Sequence, residues 1–142
     1  MSKGKRGERL FKQIMESRNY TVQDVSDNPD YWYKDIDFIV TSPTSNLTKT
    51  FEVKYDSKIH NTHNLYLELT NIHSKGGKGW FEFCEADYLV YGDAVNDEFY
   101  IIPLLELRER AKKLPFRCAC CGYDSTGQLI SLEDIADITQ TL

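Results

Sequence analysis

The chain has 142 residues, of which 41% are hydrophobic and 27% charged, and its formal net charge is −5. This size and composition fit one compact domain with a sizeable core and exclude collagenous, fibrous and disordered chains. No apolar run is long enough to span a membrane, and the basic start lacks the apolar core of an export signal. We therefore expect a cytoplasmic protein without a membrane partner.

The charge is unevenly distributed along the chain. Residues 1–12 contain five lysines and arginines against one acid, Glu8, so the remainder is strongly acidic. A negative net charge argues against a nonspecific nucleic-acid binder. A basic N-terminal arm could still contact phosphates locally, and the alternative is a solubilising segment.

The first half of the chain predicts one helix followed by strands. Apolar residues recur at helical spacing over about residues 5–18, with Glu8 at the edge of the apolar stripe. The segments "NYTVQDV", "YWYKDIDFIV" and "TFEVKYD" have the composition of strands, and the polar loop "TSPTSNLTK" joins the last two into a hairpin.

The second half continues the same kind of pattern. "NLYLELTNI", "ADYLVYGD" and "EFYIIP" read as extended segments, whereas the glycines of "HSKGGKGW" predict a flexible loop. Pro103 suits the start of a helix that runs to about Leu114. "FRCACCGYDSTG" is a predicted loop, and Ser131 with Asp134 opens a last short helix. The order predicts one α/β domain.

A carboxylate and lysine pattern on the third strand indicates chemistry. Alternate strand residues share a face, so Glu52 and Lys54 point to one side, and the hairpin can bring Asp37 beside Glu52. Neighbouring carboxylates repel unless a cation lies between them, and Mg²⁺ prefers such oxygen ligands; the Val53 carbonyl could add another. These parts specify phosphodiester hydrolysis, with Lys54 stabilising phosphate charge or positioning a water. The alternative is a solvated strand face.

These residues also carry a family resemblance. Asp37 followed by "EVK" at 52–54 resembles the PD-(D/E)xK nuclease superfamily, although Ile36 replaces the proline of its name. The start "KGKRGERLF" is similar to archaeal Holliday junction resolvases, whose helix glutamate completes the metal site, which implies this role for Glu8. The resemblance covers about residues 4–91, and it leaves residues 92–142 as a C-terminal strand, helices and a cysteine-containing loop.

The resemblance implies a restriction-endonuclease-like core, in which helices flank a central mixed β-sheet. It implies a Mg²⁺-dependent endodeoxyribonuclease that accepts Mn²⁺, with products carrying a 5′-phosphate and a 3′-hydroxyl. The resolvase-like start implies branched DNA and a homodimer. Two alternatives remain: a phage or mobile-element restriction or nicking nuclease acting in the host cytoplasm, and a catalytically silent DNA-binding module.

Further residues are candidates for the site or for DNA contact. Asp35 competes with Asp37 for the role of the motif acid, although the apolar residues that follow Asp37 favour it. An asparagine-aromatic-glutamate segment after the third strand, typical of phage-type members, brings in Asn64 and Glu68. The candidate phosphate contacts are the basic residues Lys5, Arg6, Arg9, Lys58, Lys75 and Lys78.

Two other features have competing interpretations. Trp80 either packs in the core or stacks on DNA at a branch. Cys118 and Cys121 form half of a zinc site, but no second pair is nearby, so we expect free thiols rather than a structural zinc.

Overall fold

The computed structural model describes residues 1–120 and 124–142. Five α-helices are assigned within these residues: α1 (Lys3–Ser17), α2 (Pro29–Trp32), α3 (Ile59–Thr62), α4 (Trp80–Phe83) and α5 (Leu104–Lys113). Nine strands are assigned in the same ranges: β1 (Thr21–Asp24), β2 (Phe38–Thr41), β3 (Thr48–Asp56), β4 (Asn64–Asn71), β5 (Tyr88–Asp93), β6 (Glu98–Pro103), β7 (Cys118–Cys120), β8 (Ser125–Ser131) and β9 (Gln140–Thr141). Short 3₁₀ segments cover Lys75–Gly77 and Glu133–Ile138.

Two sheets form the framework. Over the described residues, the central sheet has six strands in the order β1-β2-β3-β5-β6-β9, and β3 and β5 are parallel while the other pairs are antiparallel. A smaller antiparallel sheet has the order β4-β8-β7. The prediction of a central mixed sheet flanked by helices is confirmed.

Each face of the central sheet has its own apolar core. Phe11 and Met15 of α1 pack on one face, where the Phe11 ring lies 5.5 Å from that of Phe51. The other face is covered by the small sheet and by α5, through residues such as Leu67 and Leu107. The two charged residues of "FEVKY" therefore lie on a strand that is covered on both sides.

Helix α1 lies close to β3 because its contact residue is a glycine. A Cβ built on Gly7 would lie 2.5 Å from Cγ of Tyr55, closer than any real carbon contact. The helix begins after Ser2, whose side chain accepts a hydrogen bond from the Lys5 N–H. Since Glu8 follows Gly7, the close contact brings this acid to the sheet.

The predicted strand "YWYKDIDFIV" is wrong in its first half. Asn28 caps a helical turn with Pro29 at its first position, and only Phe38–Thr41 is extended. The backbone at Asp35 is left-handed, with φ 54°. The capping residues therefore outweigh the β-prone aromatics of this segment.

Two predicted loops and one predicted helix also differ from the structure. "HSKGGKGW" contains a 3₁₀ turn with Gly76 and Gly77 at positive φ, and α4 begins at its tryptophan. "FRCACCGYDSTG" contains β7 and the start of β8, while residues 121–123 lie outside the described residues. The last helix is a 3₁₀ segment. Within the described ranges, no helix has the length and apolar character needed to cross a membrane.

Candidate active site

The hairpin of β2 and β3 places Asp37 beside the strand that carries Glu52 and Lys54. Phe38 pairs with Phe51, and the Asp37 N–H donates to the Phe51 carbonyl at 2.9 Å. The Asp37 carboxylate in turn accepts a hydrogen bond from the Val53 N–H at 2.9 Å. Because the N–H and C=O of one strand residue point to the same side, the Val53 carbonyl lies on the Asp37 side of β3.

Glu8 reaches Asp37 from α1. Its side chain is only 15% exposed, and Lys5 Nζ lies 3.5 Å from one of its oxygens. Burial and the negative charge of Asp37 raise the pKa of Glu8 to about 7, and Lys5 offsets only part of this effect. The two carboxylates therefore form a close like-charge pair, whereas the sequence predicts such a pair between Asp37 and Glu52.

Lys54 forms a second charged group with Glu52 and Asp35. Its Nζ lies 3.0 Å from a Glu52 oxygen and 3.6 Å from an Asp35 oxygen. Burial raises the pKa of both carboxyls against the opposing effect of Lys54. Burial lowers the pKa of Lys54, but the two acids outweigh it and hold that pKa above its usual value. Lys54 is therefore a firmly protonated counter-ion.

The buried oxygens suit a hard divalent cation in their chemistry. One oxygen of Glu52 is buried without a hydrogen-bond partner in the described part of the chain, and so is the Asp35 oxygen that lies 3.6 Å from Lys54 Nζ. Such oxygens are costly unless a cation or donor meets them. However, no three acid, histidine or cysteine side chains of residues 1–120 and 124–142 already surround one point as metal ligands do. The acids lie instead as two neighbouring groups, Glu8 with Asp37 and Asp35 with Glu52.

Asp35 contacts Lys54 although it is not on a strand. Its left-handed backbone turns the chain between α2 and β2, and its carbonyl accepts from the Cys84 thiol at 3.2 Å. Burial raises the pKa of Cys84 to about 12, so this thiol is an inert packing group. The sequence predicted a continuous strand through Asp35, so it gave no indication of a left-handed turn at this residue.

Trp80 is buried and covers Lys54. The Lys54 Nζ lies 4.9 Å from the centre of the Trp80 ring, within the range of a cation–π contact. The backbone N–H of Trp80 donates to the Glu68 carboxylate at 3.4 Å, and that carboxylate also accepts a hydrogen bond from Ser125 Oγ at 2.9 Å. Glu68 therefore fixes the start of α4, the helix whose Trp80 ring covers Lys54. Its hydrogen bonds to Trp80 and Ser125 lie outside the groups formed by Glu8, Asp35, Asp37 and Glu52.

The remaining candidates lie on several elements of the fold. Asn64 accepts a hydrogen bond from Arg117, on the small sheet. Arg6 pairs with Asp97 at 3.0 Å. Other basic residues are exposed: Arg9, Lys58 and Lys78. Lys75 lies in the 3₁₀ turn after β4.

The expected half zinc site is only partly described. Cys118 is an exposed free cysteine, and Cys121 lies outside the described residues. The expectation of free thiols in this region therefore stays a prediction.

Comparison with known proteins shows a fold rather than a family. No model of a protein family matches the chain, and no curated protein matches it. The chain has a nuclease-like fold. A solved structure that shares it is that of the bacterial homing endonuclease I-Ssp6803I, with a TM-score of 0.54 over 91% of this chain and 76% of that one. The two sequences are 14% identical, so the likeness concerns the fold alone.

Proposed function

We propose that this chain is a metal-dependent DNA endonuclease that hydrolyses phosphodiester bonds. The observation that carries the proposal is the position of Asp37, which lies against Glu8 on one side and against the strand of Glu52 and Lys54 on the other. The nuclease-like fold gives independent support, since it is shared with a homing endonuclease. The same order of residues is the one that resembles the PD-(D/E)xK superfamily.

Each residue has a separate role in this proposal. Glu8, Asp37, Glu52 and the Val53 carbonyl would hold Mg²⁺ or Mn²⁺, since hard ions take oxygen ligands. A bound ion would lower the pKa of a water and stabilise the charge on the phosphate. Lys54 keeps its proton and would hold a phosphate oxygen or orient the attacking water. This ammonium would add to the electrostatic stabilisation without itself acting as a base.

The substrate and assembly are finer parts of the proposal. Resemblance to the resolvases supports branched DNA, a homodimer and products with a 5′-phosphate and a 3′-hydroxyl, whereas the fold shared with a homing endonuclease supports a DNA endonuclease without indicating the shape of its DNA. Lys5 and Arg9 on α1 lie within one helical turn of Glu8, so they would contact phosphates beside the cut. A phage or mobile-element restriction or nicking enzyme would use the same residues.

The decisive experiment is cleavage of a linear duplex and of a four-way junction. We expect cuts with Mg²⁺ and with Mn²⁺, and none with a chelator. Cleavage of the junction alone supports a resolvase, and cleavage of both supports a general endonuclease. If neither is cut with either ion while the protein still binds DNA, the chain is a DNA-binding module and the nuclease proposal is wrong.

A matched pair of lysine variants assigns the site. Lys54→Ala should abolish cleavage, whereas Lys49→Ala changes an exposed lysine at the other end of the same strand and should cut normally. Equal activity of both variants would show that the chemistry lies elsewhere.

A further inference from the structure

An exposed aromatic pair lies near the candidate active site. Trp32 and Tyr33 are 66% and 76% exposed as residues, and their rings stack with centroids 6.1 Å apart. They line a cavity of about 330 Å³ together with Ser74, Lys78 and Phe83. Large aromatics are normally buried, so two adjacent exposed rings suggest a binding role.

Both walls of this cavity lead to the group around Lys54. On one wall, Tyr33 is two residues from Asp35, whose carboxylate lies 3.6 Å from Lys54 Nζ. On the other wall, Lys78 is two residues from Trp80, whose ring covers the same ammonium. Because two extended residues span about 7 Å, the Cα atoms of Tyr33 and Lys78 lie within about 7 Å of those of Asp35 and Trp80, the two residues that contact Lys54.

We infer that this aromatic pocket holds an unpaired base of the DNA strand beside the scissile phosphate, an inference that rests on the proposed function. Bases of every sequence stack on aromatic rings, because each base has a π-face. Trp32 and Tyr33 supply apolar ring faces, and Lys78 supplies a positive charge for the flanking phosphate. Lys34, also exposed, adds a second positive charge next to Tyr33.

The structure favours a base over the apolar side chain of a partner protein. The pocket combines aromatic rings with a lysine, and two of its lining residues are two positions from the residues that contact Lys54, a combination that matches a base with its phosphate. Binding of a protein partner would not require the pocket to lie close to Lys54. Stacking in this pocket would hold the strand close to the group around Lys54.

Binding of labelled oligonucleotides by the full chain tests the inference in the presence of a chelator, so that no cleavage occurs. Single-stranded oligo-dT and a fully paired duplex are the two probes. We expect Trp32→Ala to weaken oligo-dT binding by about tenfold or more, corresponding to one lost stacking contact, and duplex binding by less. Trp32→Phe should retain most of the affinity, because it keeps a ring.

Phe116→Ala is the matched control. Phe116 is 60% exposed and lines a different cavity beside α5, so its loss should leave oligo-dT binding unchanged. A duplex with 2-aminopurine in a one-base bulge gives a second readout. Its fluorescence should be quenched on binding to the wild type and less so on binding to Trp32→Ala.

The outcomes separate this inference from the proposed function. If Trp32→Ala binds oligo-dT as the wild type does, if Phe116→Ala loses as much affinity, or if the wild type does not bind oligo-dT, the pocket assignment is overturned. None of those results would contradict the proposed nuclease function, which is tested separately by cleavage of the duplex. Conversely, loss of binding in Trp32→Ala from a protein that cuts no DNA would support the pocket while contradicting the nuclease.

Discussion

The Lys54 ammonium lies 3.0 Å from a carboxylate oxygen of Glu52, two residues away on the same strand. Glu52 is almost completely buried, so this ammonium is what allows it to carry a charge there. We expect Lys54→Met to abolish cleavage and to lower the free energy of unfolding at neutral pH by about 3 kcal/mol, because it leaves a buried acid without its partner.

Chemical unfolding of a double variant separates the effect of Lys54 on stability from its effect on cleavage. Adding Glu52→Gln to Lys54→Met should recover part of the lost stability, since it removes the buried Glu52 charge while Asp35 keeps its own, but should recover no cleavage. A double variant as unstable as Lys54→Met would contradict the pairing.

Asp37→Asn tests the cation site without disturbing the strand pairing. The amide oxygen of asparagine can still accept the Val53 N–H, so we expect unfolding stability within about 1 kcal/mol of the wild type. Mn²⁺ affinity measured by calorimetry should fall by about tenfold or more, since one charged ligand is lost. Asp134→Asn, an exposed acid in the last 3₁₀ segment, is the control and should bind Mn²⁺ normally. Unchanged affinity in Asp37→Asn would remove this acid from the site.

Glu8 gives the fold a specific dependence on pH. Its pKa of about 7 lies above the usual 4.5, so the folded state binds a proton that the unfolded state releases. The free energy of unfolding that protonated Glu8 contributes is roughly 2–3 kcal/mol. This contribution is full below pH 4.5 and is lost as the pH rises through about 7. In chelator, Glu8→Gln should become more stable relative to the wild type as the pH rises through this range. A constant difference between the two proteins would contradict the raised pKa.

Trp80 should act on catalysis through the position of Lys54. We expect Trp80→Leu to lower kcat by about tenfold with little change in KM, because the ammonium loses its cation–π contact while the substrate surface is retained. Trp80→Phe keeps a ring and should restore most of the kcat. If both variants lose stability and activity in parallel, Trp80 has only a packing role.

Two glycines of the same helix provide a matched test of how α1 packs on the sheet. A Cβ on Gly7 would clash with Tyr55, so Gly7→Ala should destabilise the fold by about 1–3 kcal/mol. A Cβ on Gly4 meets no atom within 4 Å, so Gly4→Ala should stabilise the fold by up to about 1 kcal/mol through helix propensity. Thermal unfolding measures both. Equal effects would show that α1 does not approach β3 at Gly7.

The sequence was sufficient for the elements whose pattern is local. Alternation along β3 predicted that Glu52 and Lys54 share a face, and the hairpin return predicted that Asp37 lies beside this strand. Helical spacing placed Glu8 at the edge of the apolar stripe of α1. The small sheet was not predicted, because β4 pairs with β8 across more than fifty residues and the cysteine-containing segment has no strand alternation. The contact of the Trp80 ring with Lys54 could not be predicted from the sequence either, because it depends on how α4 packs against the sheet.

The left-handed backbone at Asp35 decides how this position can be probed by mutagenesis. Alanine there would combine removal of the carboxylate with backbone strain, because a side chain without a polar group disfavours positive φ. Asparagine tolerates this conformation and differs from aspartate mainly in charge. Asp35→Asn is therefore the substitution that reports what the charge beside Lys54 contributes, whereas an alanine scan would exaggerate the importance of the residue.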